Sequence, residues 1–181
     1  MSATMLWGAA LLALLFFWML GAYNRVVSLR SPIIAAWAQL EAVLQARRQA
    51  LASLLVAAEP RLGAERAALE AVIAAQAQLG QAADGLRPRP AHAEAVAALA
   101  QADAALAPAL ARLASLIEQQ PDWREDAGLA GSLQALKELA PRWQFARQVF
   151  NDASKAYNEA VEQFPTRLLA GIFNFGRAGT L

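Results

Sequence analysis

The feature that most restricts this chain is the uncharged stretch at its start. From Met1 to Asn24 no side chain carries a charge, and Met5 to Ala22 is almost wholly apolar. At ~1.5 Å of rise per residue, a helix of this length nearly spans a ~30 Å hydrocarbon layer. Trp7, Trp18 and Tyr23 stand where interfacial aromatics are favoured. The competing reading is a cleaved secretory signal. It lacks support, because no Lys or Arg precedes the run and no convincing Ala-x-Ala site follows it. A transmembrane anchor over residues 5–24, behind a short tail of residues 1–4, is therefore expected, with the lipid bilayer as a partner. Arg25 and Arg30 follow the run. The positive-inside rule then places the rest of the chain in the cytoplasm, with the periplasmic side as the alternative.

The remainder must be helical. About a quarter of the chain is Ala, the strongest helix former, and β-branched residues are sparse. No segment alternates as a strand does. The net charge of +1 supplies no field to draw nucleic acid, so none is expected as a partner. The absence of Cys excludes disulfides, thiol catalysis and Cys-zinc sites.

Breaks and seams divide residues 25–164 into four helices. Ser31-Pro32 either starts a helix or kinks a continuous one. The first helix, about 32–58, carries the heptad-like seam Ile33, Trp37, Leu40, Leu44, Arg47, Leu51, Leu54 and Ala58. The second, about 60–84, has Leu62, Glu65, Leu69, Val72, Gln76 and Leu79. Asp84 to Pro90 reads as a loop. The third, about 90–119, has Val96, Leu99, Asp103, Leu106, Leu110, Leu113 and Ile117, with Pro108 expected to kink it. Gln120-Pro121-Asp122 is the next break. The last helix, about 123–164, places Leu129, Leu136, Trp143, Phe150, Tyr157 and Phe164 seven apart. Short connections between long amphipathic helices imply an all-α, antiparallel up-down four-helix bundle behind the transmembrane helix. Residues 165–181 form a juxtamembrane C-terminal tail.

Two stretches resemble the LemA family of bacterial membrane-anchored helical proteins. The first is Tyr23-Asn24, Val27, Leu29-Arg30, Trp37-Ala38-Gln39-Leu40, Leu44 and Arg47-Arg48. The second is Ala146-Arg147, Phe150-Asn151-Asp152-Ala153, Tyr157-Asn158, Phe164-Pro165, Leu168-Leu169-Ala170 and Ile172-Phe173-Asn174-Phe175. Gln120-Pro121-Asp122 is similar to the family's Tyr-Pro-Asp-Leu turn. The chain departs from the family after Arg48 and at Phe173-Asn174-Phe175, where Phe-Gly-Phe is usual. The resemblance implies an N-terminal transmembrane helix, an antiparallel bundle and an address at the bacterial cell membrane or an internal membrane. It implies no reaction.

Several seam slots are polar. Folding the helices back at each turn puts Arg47 level with Gln76, Asp103 and the Pro141–Trp143 region. Arg47 and Asp103, helped by Gln76, are candidates for a polar layer that fixes register. The plainer reading has each side chain reaching solvent from a boundary slot. Beside the aromatic seam runs a second polar row, Arg147, Asn151, Asn158 and Glu162, whose neighbours share a face at spacings of four. It is either an interaction surface or inter-helix hydrogen bonding. Trp37, Trp143 and Tyr157 lie in seam phase and are expected in the core. The same height estimate returns Phe164 to the level of Asn24. In the tail, Leu168, Leu169, Ile172 and Phe173 recur at helical spacing with Phe175 nearby. The tail is therefore expected either at the bilayer interface or folded over the base of the bundle.

No catalytic constellation emerges. His92 is the only His and has no second ligand at metal spacing. The glycines fit no phosphate loop. Neither cofactor nor metal is expected, and the chain is not expected to be an enzyme. Two classes remain: a scaffold or protein-interaction module that binds another membrane protein, with homo-oligomers left open, and a tethered sensor holding a ligand between the bundle helices.

Overall fold

The computed structural model describes residues 3–60, 65–163, 166–167 and 175–181. Among them there is no strand, only helices and one isolated antiparallel bridge between His92 and Ala178. The elements are α1 (Ala3–Ser28), α2 (Arg30–Ala58), α3 (Arg66–Leu86), α4 (Ala93–Gln119), the single turn α5 (Pro121–Arg124) and α6 (Ala127–Glu162). The architecture is an N-terminal apolar helix followed by an antiparallel helical bundle.

Helices α1 and α2 are nearly one rod. Only Leu29 interrupts them. Its φ and ψ stay helical, and its N–H donates to the Arg25 carbonyl at 3.2 Å. Ser31 is therefore not a cap. Pro32 falls in the first turn of α2, where its missing N–H is tolerated. Residues 7–18 are exposed along their length, whereas Val26 is fully buried in the bundle core. Helix α4 is also long and apolar enough to cross a membrane, but it carries Val96, Leu99, Leu106, Leu113 and Ile117 buried in the bundle.

Several helix boundaries differ from expectation, among them the start of α4 at Ala93 rather than near Pro90. Helix α3 starts at Arg66, so Glu65 precedes it and is exposed rather than seated in the seam. Leu62 lies outside the described residues. Helix α3 also runs past Asp84 to Leu86, because Leu79, Ala83 and Leu86 continue one buried stripe. The last helix is divided. After α5, Asp126 caps α6, its carboxylate accepting from the Leu129 N–H at 2.9 Å. Pro108 and Pro141 both lie inside unbroken helices.

The bundle is built from two close pairs, α2 with α6 and α3 with α4, while α2 and α3 touch less. Small residues in the buried stripes, Ala68, Ala75 and Ala83 on α3 and Ala102 on α4, let the second pair approach. Arg87 ties the end of α3 to α2 through Glu41 at 2.6 Å, and that hydrogen bond raises its guanidinium pKa above the usual arginine value.

Candidate functional site

Midway along the bundle, three helices meet at one carboxylate. Arg47 Nη1 on α2 donates to Asp103 Oδ1 on α4 at 2.8 Å, and Trp143 Nε1 on α6 donates to Asp103 Oδ2 at 3.0 Å. The Arg47 guanidinium also stacks over the Trp143 ring, 4.9 Å from its centroid. The ion-paired side chains are 15% and 18% exposed, so the layer is largely screened from water. Gln76 does not join it. Its amide instead donates to the Arg48 carbonyl at 3.3 Å, because its place on α3 faces the backbone of α2. Trp143 takes the third place: it is core by burial, yet its indole N–H needs an acceptor.

A second polar arrangement lies on α6. Asn158 and Asn151 each treat the C-terminal segment as a neighbouring strand would. Asn158 Nδ2 donates to the Ala178 carbonyl at 2.9 Å, and its Oδ1 accepts from the Ala178 N–H at 2.7 Å. Asn151 repeats the pattern with Leu181 at 2.9 and 2.7 Å. The spacing explains the match. Seven residues of helix rise about 10.5 Å, and three residues of extended chain cover about 10 Å. Glu162 adds an ion pair to Arg177 at 3.0 Å. Arg147, fourth in the row, is half-buried and has no hydrogen bond or ion pair among the described residues. Asn151, Asn158 and Glu162 thus hold residues 177–181, neither another bundle helix nor an open surface.

The other side of that segment rests on the start of α4. The Gly179 N–H donates to the Ala91 carbonyl at 3.3 Å. A Cβ at Gly179 would stand 2.6 Å from Val96 Cβ and 2.9 Å from Ala93 Cα, so only glycine fits without displacement. Residues 177–181 therefore run up the bundle between α6 and α4 and do not lie flat beneath it. No periodicity marks this segment, so sequence reasoning missed Gly179.

Where α1 enters the bundle, Phe175 joins the tail to the junction. Its ring lies 5.7 Å from that of Tyr23, and the Arg30 guanidinium lies 5.0 Å over it. Arg30 also reaches the Tyr157 hydroxyl at 3.5 Å. Beside these groups opens a cavity of about 530 Å³, lined by Arg30, Ile33, Arg89, His92, Tyr157 and Arg177 among others. Of the remaining candidates, Asn24 and Arg48 are exposed, Leu29 is half-buried at the junction and Trp37 is buried. Phe164, Pro165, Leu168, Leu169, Ile172 and Phe173 lie outside the described residues.

The polar layer at Asp103 and the asparagine contacts to the tail fall within, and the junction with α1 beside, the region that a family model recognises. The model of the LemA family matches residues 36–181. The chain belongs to the LemA family. No curated protein matches it. The LemA match begins in α2, so α1 stands outside it and its placement rests on hydropathy and exposure alone.

Proposed function

We propose that this LemA chain is a non-catalytic scaffold tethered to a bacterial cell or internal membrane, with α1 crossing the bilayer and the bundle held against it to engage another membrane protein. The observation that carries this reading is the surface of α1. Trp7 is 77% exposed and Phe17 69%, and residues 7–18 have no cover from the described chain. So long an apolar surface is unstable in water and requires lipid or protein around it. The near-continuous α1–α2 rod passes the orientation of the anchor directly to the bundle. Arg25 and Arg30 favour the cytoplasmic side for the bundle. The carboxylate and amides inside the bundle, Asp103, Asn151 and Asn158, are engaged in holding helices and tail.

The test is alkaline carbonate extraction of membranes carrying the full chain, followed by cross-linking. The chain is expected to stay with the membrane, to be released when residues 1–24 are deleted, and to cross-link to a second membrane protein through the Tyr23–Arg30 region. Extraction of the intact chain would refute the tether, and recovery of the chain alone or only as a homo-oligomer would refute the heterologous scaffold. A second reading, a sensor with a ligand between the helices, draws on one observation. The Trp37 indole N–H and the Ser154 hydroxyl are buried without hydrogen-bond partners among the described residues.

A further inference from the structure

The cavity at the base of the bundle has a chemistry that the scaffold reading leaves unused. Three guanidiniums line it, from Arg30, Arg89 and Arg177, against one carboxylate, Glu94. Arg177 is balanced by Glu162. Arg30 and Arg89 have no carboxylate partner among the described residues; Arg30 is held by ring faces and the Tyr157 hydroxyl. The floor is apolar, with Ile33, Pro88 and Pro90. The first turn of α4 opens into the same space, and its N-cap residue His92 makes no side-chain cap, so the positive end of that helix dipole adds to the field. The three arginines stand on exposed positions that a ligand can reach, and a guanidinium offers an oxyanion paired, charge-assisted hydrogen bonds.

We propose that this cavity binds the phosphate group of an anionic ligand, with Arg30 and Arg89 as its principal donors. The ligand is either a lipid headgroup or a soluble phosphate ester. The headgroup assignment rests on the tether proposed above. Seven residues from Tyr23 to Arg30 rise about 10.5 Å, and the headgroup layer is about 5–8 Å deep on each side. The Arg30 side chain leans back toward Tyr23, both touching Phe175, and this brings its guanidinium closer to that layer.

The experiment titrates the full chain, purified in an uncharged detergent, with short-chain phosphatidic acid, short-chain phosphatidylcholine and glycerol 3-phosphate. Saturable binding of phosphatidic acid is expected, with phosphatidylcholine weaker. Arg89→Gln removes one charge-assisted donor from an exposed residue without a described partner, and should weaken binding about tenfold. Arg112→Gln, an equal charge loss on an exposed residue of α4 far from the cavity, should leave binding unchanged. Tight binding of glycerol 3-phosphate would assign a soluble ester; binding of the lipid alone would assign a headgroup. Absence of saturable binding to any phosphate probe, or equal weakening by Arg112→Gln and Arg89→Gln, would overturn the site. Failure of the tether in carbonate extraction would leave the glycerol 3-phosphate arm readable, so the two proposals fail separately.

Discussion

The two close helix pairs reach similar burial by different means. In α3 the buried stripe intersperses Ala68, Ala75 and Ala83 among Leu69, Val72, Leu79 and Leu86, and it packs on α4, whose stripe is aliphatic apart from Ala102. In α2 and α6 it holds Trp37, Trp143, Phe150 and Tyr157, together with Arg47, and the pair also carries the junction with α1 and the amides that bind the tail. The first pair depends on smallness and brings backbones close. The second depends on the shapes and hydrogen bonds of individual side chains. Register and recognition are therefore concentrated in α2 and α6, while α3 and α4 supply a close-packed support.

The largest expected effect tests that contrast directly. Phe150 is fully buried, and Phe150→Ala should cost about 3–5 kcal/mol. Ala75→Leu, which wedges the alanine pair apart, should cost about 1–3 kcal/mol. Urea unfolding of the full chain in detergent measures both. A larger loss for Ala75→Leu would mean that the alanine pair is the demanding one. Next comes the polar layer. Asp103→Ala strands the Arg47 guanidinium and the Trp143 indole N–H, and should cost about 3 kcal/mol. Replacing both ionic partners, Arg47→Leu with Asp103→Leu, leaves only the indole unpaired and should return to within about 1–2 kcal/mol of the parent chain. A double variant as weak as the single one would show that the carboxylate also organises the surrounding helices.

The same contrast governs what the sequence discloses. Heptad spacing makes the four long helices legible, because burial of Leu and aromatic residues repeats at helical period wherever a helix packs on one face. Heights along an up-down bundle follow from residue counts, which is why Arg47, Asp103 and Trp143 can be placed at one level. The partner at that level is harder to choose: Gln76 has the right height but faces α2's backbone, while Trp143 reads from its spacing as an apolar seam residue. Helix ends are decided by single side chains. Asp126 divides the last helix by capping Leu129, and Leu86 draws α3 through a sequence rich in turn formers. The tail is the least legible part. Asn151 and Asn158 announce a shared face, but the segment they bind has no period of its own, and Gly179 is identifiable only once Val96 and Ala93 are seen against it.

A smaller effect belongs to that glycine. Gly179→Ala forces a Cβ into contact with α4 and should cost about 1–2 kcal/mol, read as lost amide-exchange protection over residues 177–181 with the protection of α3 retained. Uniform loss across the bundle would mean that the tail is integral to its core.

The finest distinction lies between the two asparagines. Each makes two hydrogen bonds to one residue, and each Asn→Ala change should cost about 1–2 kcal/mol at its own site. Their surroundings differ. Asn158 grips Ala178 where Glu162 holds Arg177 and Ala91 holds Gly179, so three attachments cluster within three residues. Asn151 grips Leu181 two residues beyond that cluster. Asn151→Ala should therefore expose the Leu181 amide to exchange and leave Ala178 protected. Asn158→Ala should weaken protection at both, because Leu181 is positioned only if the chain upstream is already seated. Equal and independent losses at the two amides would mean that the segment is held as two separate contacts, and that the two-turn match between α6 and an extended strand adds no cooperativity.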